Sequence, residues 1–97
     1  MHVVDAQEAE PRRIESLVRL QDARVLEIGC GDGRLTRFAA ARANSVYAFD
    51  PDGDEVEAAR AGLSSDEARR VSFAVHGAEA LDVERERFDV ALCGWSL

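Results

Sequence analysis

Arg24-Val25-Leu26-Glu27-Ile28-Gly29-Cys30-Gly31-Asp32-Gly33-Arg34 is the stretch on which the reading of this chain turns. A short apolar run rich in β-branched residues, Val25 to Ile28, halts at three glycines spaced by two. The apolar positions that follow, Leu35, Phe38 and Ala39, recur at i, i+3 and i+4. This order predicts a strand, a tight turn and a helix. Glycine suits such a turn because the backbone must pass through angles that a Cβ resists, and because a ligand can then approach the main chain closely. The helix that follows aims unpaired N–H groups and the positive end of its dipole at the same spot, which suits a carboxylate or a phosphate. The stretch reads as a ligand cradle, and its alternative is an ordinary βα turn with incidental glycines. Arg34 stands where the third glycine of a Gly-x-Gly-x-x-Gly dinucleotide fingerprint would fall, which disfavours a nicotinamide dehydrogenase.

Towards the N-terminus, Ile14, Leu17 and Val18 share one helical face, so a short amphipathic helix is expected over Arg12–Leu20. Residues 1–10 are acidic and unpatterned and are expected to form a flexible arm ahead of a cofactor-binding unit over 11–97. Towards the C-terminus, a helix is expected over Arg34–Arg42, with Asp32 or Gly33 as its N-cap, and then a strand over Val46–Phe49 that delivers Asp50 at its end. Pro51 stops that strand, and Asp52-Gly53-Asp54-Glu55 has the spacing of a helix start, with Gly62 as the stop. Ser64–Arg70 reads as a polar turn or a short helical piece, Val71–Val75 as a third strand and Phe88–Cys93 as a fourth. Strands alternating with helices predict a parallel sheet built by right-handed crossovers.

Ninety-seven residues suffice for one small core. Hydrophobic residues at 46% and charged residues at 32% are those of a water-soluble globular protein. No apolar run approaches the roughly 18 residues that cross a bilayer, and the first residues lack a secretory signature, so a cytoplasmic location without membrane contact is expected. The net charge of −7 argues against a polyanion partner, and no single stretch offers a basic groove with stacking aromatics for nucleic acid. All twelve basic residues are arginine. Cys30 and Cys93 are too few for a disulfide framework or a metal cluster, so two reduced thiols are expected, with a bond open only if the strand ends bring them together.

Asp50 falls nineteen residues after Gly31, at the end of the adjacent strand. A carboxylate about twenty residues beyond a glycine turn is placed to accept hydrogen bonds from a ribose diol. The alternative role for Asp50 is a turn residue bonded to its own backbone.

With these residues in hand, the sequence resembles the class I S-adenosylmethionine-dependent methyltransferases, in particular their small-molecule, quinone-biosynthesis-like branch. The resemblance rests on Val25 to Thr36, Val46 to Pro51, Val71 to Leu81 and Phe88 to Cys93, four motifs in order that cover most of the chain after residue 22. It implies a Rossmann-like three-layer α/β sandwich with a parallel sheet of strand order 3-2-1-4, truncated relative to the family's seven strands. It implies S-adenosyl-L-methionine as cofactor. By position, Glu27 would fix the glycine loop and the methionine amino group, while Gly29, Cys30 and Gly31 would run along the methionine. Asp50 would hold the ribose hydroxyls, Pro51 would lie against adenine, Ala78 would donate its N–H to the ring, and Cys93 with the residues after it would border the sulfonium and the substrate entrance. The family's acidic adenine contact falls on Gly77, and Glu55 stands where the family has an apolar residue.

Methyl transfer from a sulfonium is an in-line displacement in which the protein aligns the reactants and excludes water. No catalytic residue is assigned: His76 reads as a loop residue, His2 lies in the arm, and Trp95 reads as core or pocket wall. No metal site is expected. The resemblance implies methyl transfer to a small-molecule acceptor in a more complete protein. The alternative is a non-catalytic cofactor-binding or interaction module. A sheet of these four strands would leave the fourth-strand edge open, an invitation to self-association or to a completing chain.

Overall fold

The structure, a computed structural model, describes residues 2–5, 19–77 and 87–94. Five strands form one sheet: β1 (His2–Asp5), β2 (Arg24–Ile28), β3 (Ser45–Asp50), β4 (Val71–Val75) and β5 (Val90–Cys93). Among the described residues three helices connect the strands: α1 (Arg34–Ala40), α2 (Gly53–Ala61) and α3 (Ser65–Ala68). The sheet order is β1-β5-β2-β3-β4, and every pairing is parallel. The expected 3-2-1-4 order is present as β4-β3-β2-β5.

Residues 24–28 form a strand because side chains on both of its faces find apolar cover. Val25 packs on one side with Val46, Val90 and Leu92 beneath Leu35 and Ala39 of α1 and Val56 and Ala59 of α2. Leu26, Phe49 and Ala91 lie on the other face with Ile28, Tyr47, Ala74 and Phe88. Successive residues alternate between the two clusters, so a strand buried on both faces is apolar nearly throughout.

The expectation of a loose arm over residues 1–10 is corrected at His2–Asp5. These residues pair with β5 from His2 opposite Val90 to Asp5 opposite Cys93, and Val4 is buried. The β-branched pair Val3-Val4 meets a row of backbone donors and acceptors that β5 would otherwise present unpaired. The fourth-strand edge expected to be open is therefore occupied by this chain's own β1, and the outer strands are β1 and β4.

α1 ends two residues before the expected Arg42, where the Arg42 guanidinium instead donates to the Phe38 carbonyl and lies over the Phe38 ring. Its N-cap is Gly33 in the left-handed region, with no side-chain cap. α2 starts where expected: the Asp52 carboxylate accepts from the N–H groups of Asp54 and Glu55, and Gly62 caps the other end. Ser64 and Glu67 form a reciprocal capping box on α3. Most of the helix expected over Arg12–Leu20 lies outside the described residues, as do Ala78 and Trp95. Leu20 itself is buried and precedes the turn into β2.

Candidate functional site

From β2 the chain moves outward to β3 and β4, then returns to the other side of β2 as β5. The strand order thus reverses at β2 and β5, which stay paired to Ile28 and Cys93, and a crevice lies just beyond their C-terminal ends. Gly29 and Gly31 line it, and Gly29, Gly31 and Gly33 adopt φ values of 76°, 53° and 93°, angles that L side chains rarely adopt. A Cβ on Gly33 would stand 2.7 Å from the Cα of Ala59, so the turn and α2 touch only because none is there. A Cβ on Gly31 would make only an ordinary contact, with Glu55 Oε2 at 3.8 Å. The resulting cavity of about 130 Å³ is bounded by Gly29 to Asp32, Arg34, Leu35 and Gly94.

Backbone hydrogen bonds hold the turn against the next strand. The N–H groups of Gly29 and Cys30 both donate to the Phe49 carbonyl at 2.9 Å. Asp50 sits one residue further on, largely buried, and divides its carboxylate between two duties. Oδ2 accepts from the Gly31 N–H at 3.0 Å, and Oδ1 accepts from the Asp52 N–H at 2.9 Å. The local turn role and the long-range role expected for Asp50 thus coexist.

Glu27 is fully buried. Its Oε1 accepts from the Thr36 hydroxyl, which ties β2 to α1, while Oε2 has no hydrogen-bond partner. Burial pushes its carboxyl up to about 7, the Thr36 hydrogen bond opposes that rise, and the charge of Asp50 adds to it. Cys30 senses the same surroundings: burial and the carboxylates of Glu27, Asp50 and Glu55 push its thiol up to about 12. It is an inert thiol at neutral pH. Cys30 and Cys93 are both buried, and neither forms a disulfide among the described residues.

The structure thus gathers Glu27, Gly29, Cys30, Gly31 and Asp50 around one turn. Cys93 lies opposite Ile28 on the neighbouring strand, and Pro51 is exposed just beyond Asp50. Gly94, the first of the residues expected to follow Cys93 at the sulfonium side, packs directly on the turn. Its N–H donates to the Ile28 carbonyl at 2.8 Å, and a Cβ on it would collide with the Gly29 carbonyl oxygen. The signal available was a glycine placed directly after an apolar strand. His76 follows β4 with its N–H on the Asp50 carbonyl, its ring stacked on Phe49 at 4.4 Å, and Nε2 beside the Tyr47 hydroxyl at 3.2 Å. Those contacts make it a packed structural residue. Among the described residues no group of acidic, cysteine or histidine side chains could hold a metal, and no helix is long and apolar enough to cross a membrane.

A parallel α/β sheet with a glycine turn after its central strand and a carboxylate ending the adjacent strand defines a Rossmann-like cofactor-binding fold. Within that class, residues 25–97 match the family described as Methyltransferase domain, and the chain belongs to it. No curated protein matches. Among solved structures, an S-adenosylmethionine-dependent methyltransferase from Mesorhizobium loti superposes with a TM-score of 0.75 at 19% identity, covering 90% of this chain and 40% of that one. An RNA methyltransferase from Salinibacter ruber, solved with S-adenosyl-L-homocysteine, gives 0.76 at 22%, covering 93% and 60%. Phosphoethanolamine N-methyltransferase 1 from Haemonchus contortus, solved with phosphoethanolamine and S-adenosylhomocysteine, gives 0.75 at 25%, covering 90% and 19%. The chain spans less than two thirds of the length of each. S-adenosylmethionine or S-adenosylhomocysteine is named with each of these three neighbours. One feature beside the crevice suits a cation-bearing molecule of that kind: an oxygen of buried Glu27 with no hydrogen-bond partner among the described residues.

Proposed function

We propose that this chain holds S-adenosylmethionine along the Gly29–Gly33 turn, and that it serves methyl transfer to a small, neutral or cationic acceptor. The observation that carries the proposal is the pair of carboxylates, Glu27 and Asp50, that flank the turn, one with an oxygen still lacking a donor. Glu27 receives the α-ammonium, the Gly29, Cys30 and Gly31 backbone follows the methionine chain, and Asp50 accepts from the ribose hydroxyls. Pro51 and the Ala78 N–H border the adenine, and Cys93 and Gly94 close the sulfonium side. When bound, the cofactor supplies an electrophilic methyl group, and the residues of this chain align it and keep water away. The small acceptor is favoured because Asp50 and Glu55 place carboxylates beside the glycine turn, and a negative wall repels polyanions.

Calorimetric titration with S-adenosylmethionine tests the cofactor half. Asp50→Ala and Glu27→Gln should each weaken binding at least tenfold, and unchanged affinity in both overturns the assignment. Gly77→Asp, which restores the acidic adenine contact that the family resemblance implies, should tighten binding; weaker or unchanged affinity counts against that register. A second reading, a module that binds the cofactor without transferring its methyl, draws on β1 already filling the β5 edge. Saturable binding without methylation of any amine or hydroxyl acceptor by the chain within its full reading frame would favour that module.

A further inference from the structure

Because all five strands are parallel, their N-terminal ends gather on the side opposite the crevice, roughly 16 Å away along β3 at about 3.3 Å per residue. A second cavity of about 600 Å³ opens there, within the size range of small-ligand pockets, about 300–1,000 Å³. Four arginines from distant parts of the chain line it: Arg24, Arg69, Arg70 and Arg87. Two of them are committed. Arg24 pairs with Asp89 at 3.1 Å, and Arg70 pairs with Asp66 at 3.0 Å while donating to the Ala40 carbonyl. Arg69 and Arg87 are exposed and form no ion pair among the described residues. The hydroxyls of Ser45 and Ser72 share the cavity, and Tyr47 and Phe88 add aromatic rings, 6.3 Å between centroids.

We infer that this cavity binds a nucleoside-monophosphate-like ligand, a dianionic phosphate ester carrying a planar ring, at a site separate from the cofactor crevice. A guanidinium fork matches phosphate geometry bidentately, and serine hydroxyls complete the set of donors. The Tyr47 and Phe88 rings offer faces on which a heterocycle stacks. The chain's net charge of −7 does not oppose this, because salt screens charges beyond about 8 Å while Arg69 and Arg87, without an ion pair among the described residues, stand at the cavity itself. The occupant is a small ligand: one cavity with four arginines, two of them committed to ion pairs, lacks the extended basic stripe that a nucleic acid needs.

The test is a titration of the ¹⁵N-labelled full chain, read by NMR, with adenosine monophosphate, inorganic phosphate, adenosine and a short single-stranded oligonucleotide. Adenosine monophosphate should shift the amides of Ser45, Arg69, Arg70, Ser72 and Arg87 saturably, phosphate should do so more weakly, and adenosine should not. The double variant Arg69→Gln/Arg87→Gln should weaken that response at least tenfold while the amides of the glycine turn keep their wild-type positions and their response to S-adenosylmethionine. The inference is overturned if adenosine monophosphate moves only the Gly29–Gly33 amides, if the response survives in the double variant, or if the oligonucleotide alone saturates these amides. Since the two sites lie at opposite ends of the sheet, loss of one response leaves the other readable.

Discussion

Glu27 is a carboxyl group taken out of water and given one donor where it can use more, and its protonation reports the cost. Unfolded, it titrates near 4.5, whereas in the folded chain burial holds it at about 7. The folded state therefore binds the extra proton between those values, and stability falls as pH rises from about 4.5 through 7. Glu27→Gln should remove most of that decline, so the variant gains up to about 3 kcal/mol over the wild type at pH 8 relative to pH 4. Urea melts at the two pH values measure it, and parallel pH profiles for the two proteins would contradict it. The same proton must leave before the carboxylate can receive an ammonium group. S-adenosylmethionine affinity should thus rise between pH 6 and 7.5 in the wild type and stay flat in Glu27→Gln, as calorimetry would show. Gly33 poses a steric problem instead: with φ at 93° and Ala59 atoms 2.7 Å from any Cβ, Gly33→Ala should cost about 2 kcal/mol or more. Gly53→Ala is the control, since its Cβ meets only Val75 at an ordinary 4.0 Å and it opens a helix. That variant should be neutral or gain up to about 1 kcal/mol in thermal melts.

At the scale of elements, the helix starts differ in what their residues supply. α2 has a side-chain cap, Asp52, whose carboxylate takes two orphan N–H groups, so Asp52→Ala should cost about 1 kcal/mol. α1 has none, because a capping side chain at Gly33 would need a Cβ where Ala59 sits. Its N-terminus is instead fixed from the strand side, by the bond from Thr36 to Glu27 and by the Gly33 N–H on the Cys30 carbonyl. The α2 cap was legible in the sequence, since Asp52 and the residues after it carry the pattern locally. The Glu27–Thr36 tie was not, because it depends on how a helix nine residues along folds back over its own strand.

For the whole molecule, the decisive contact is between segments almost ninety residues apart. β1 pairs with β5 and removes an exposed edge from the centre of the chain's interaction surface. Deleting residues 1–5 should uncover the β5 edge and promote self-association, seen as a concentration-dependent rise in sedimentation coefficient; an unchanged monomeric profile would show that the edge needs no cover. The sequence by itself determined the parts whose causes are local: the glycine turn, the alternation of strand and helix, and the carboxylate carried to the turn by the adjacent strand, while the order of four strands came only through the family resemblance. The local parts follow from periodicity and from glycine's access to positive φ. Only the tertiary structure decided that Val3-Val4 becomes a fifth strand, that Gly94 presses on the Gly29 carbonyl, and that arginines 24, 69, 70 and 87 meet around one cavity. Those outcomes depend on which backbone edges and strand ends come together through space, and no local pattern along a chain encodes that.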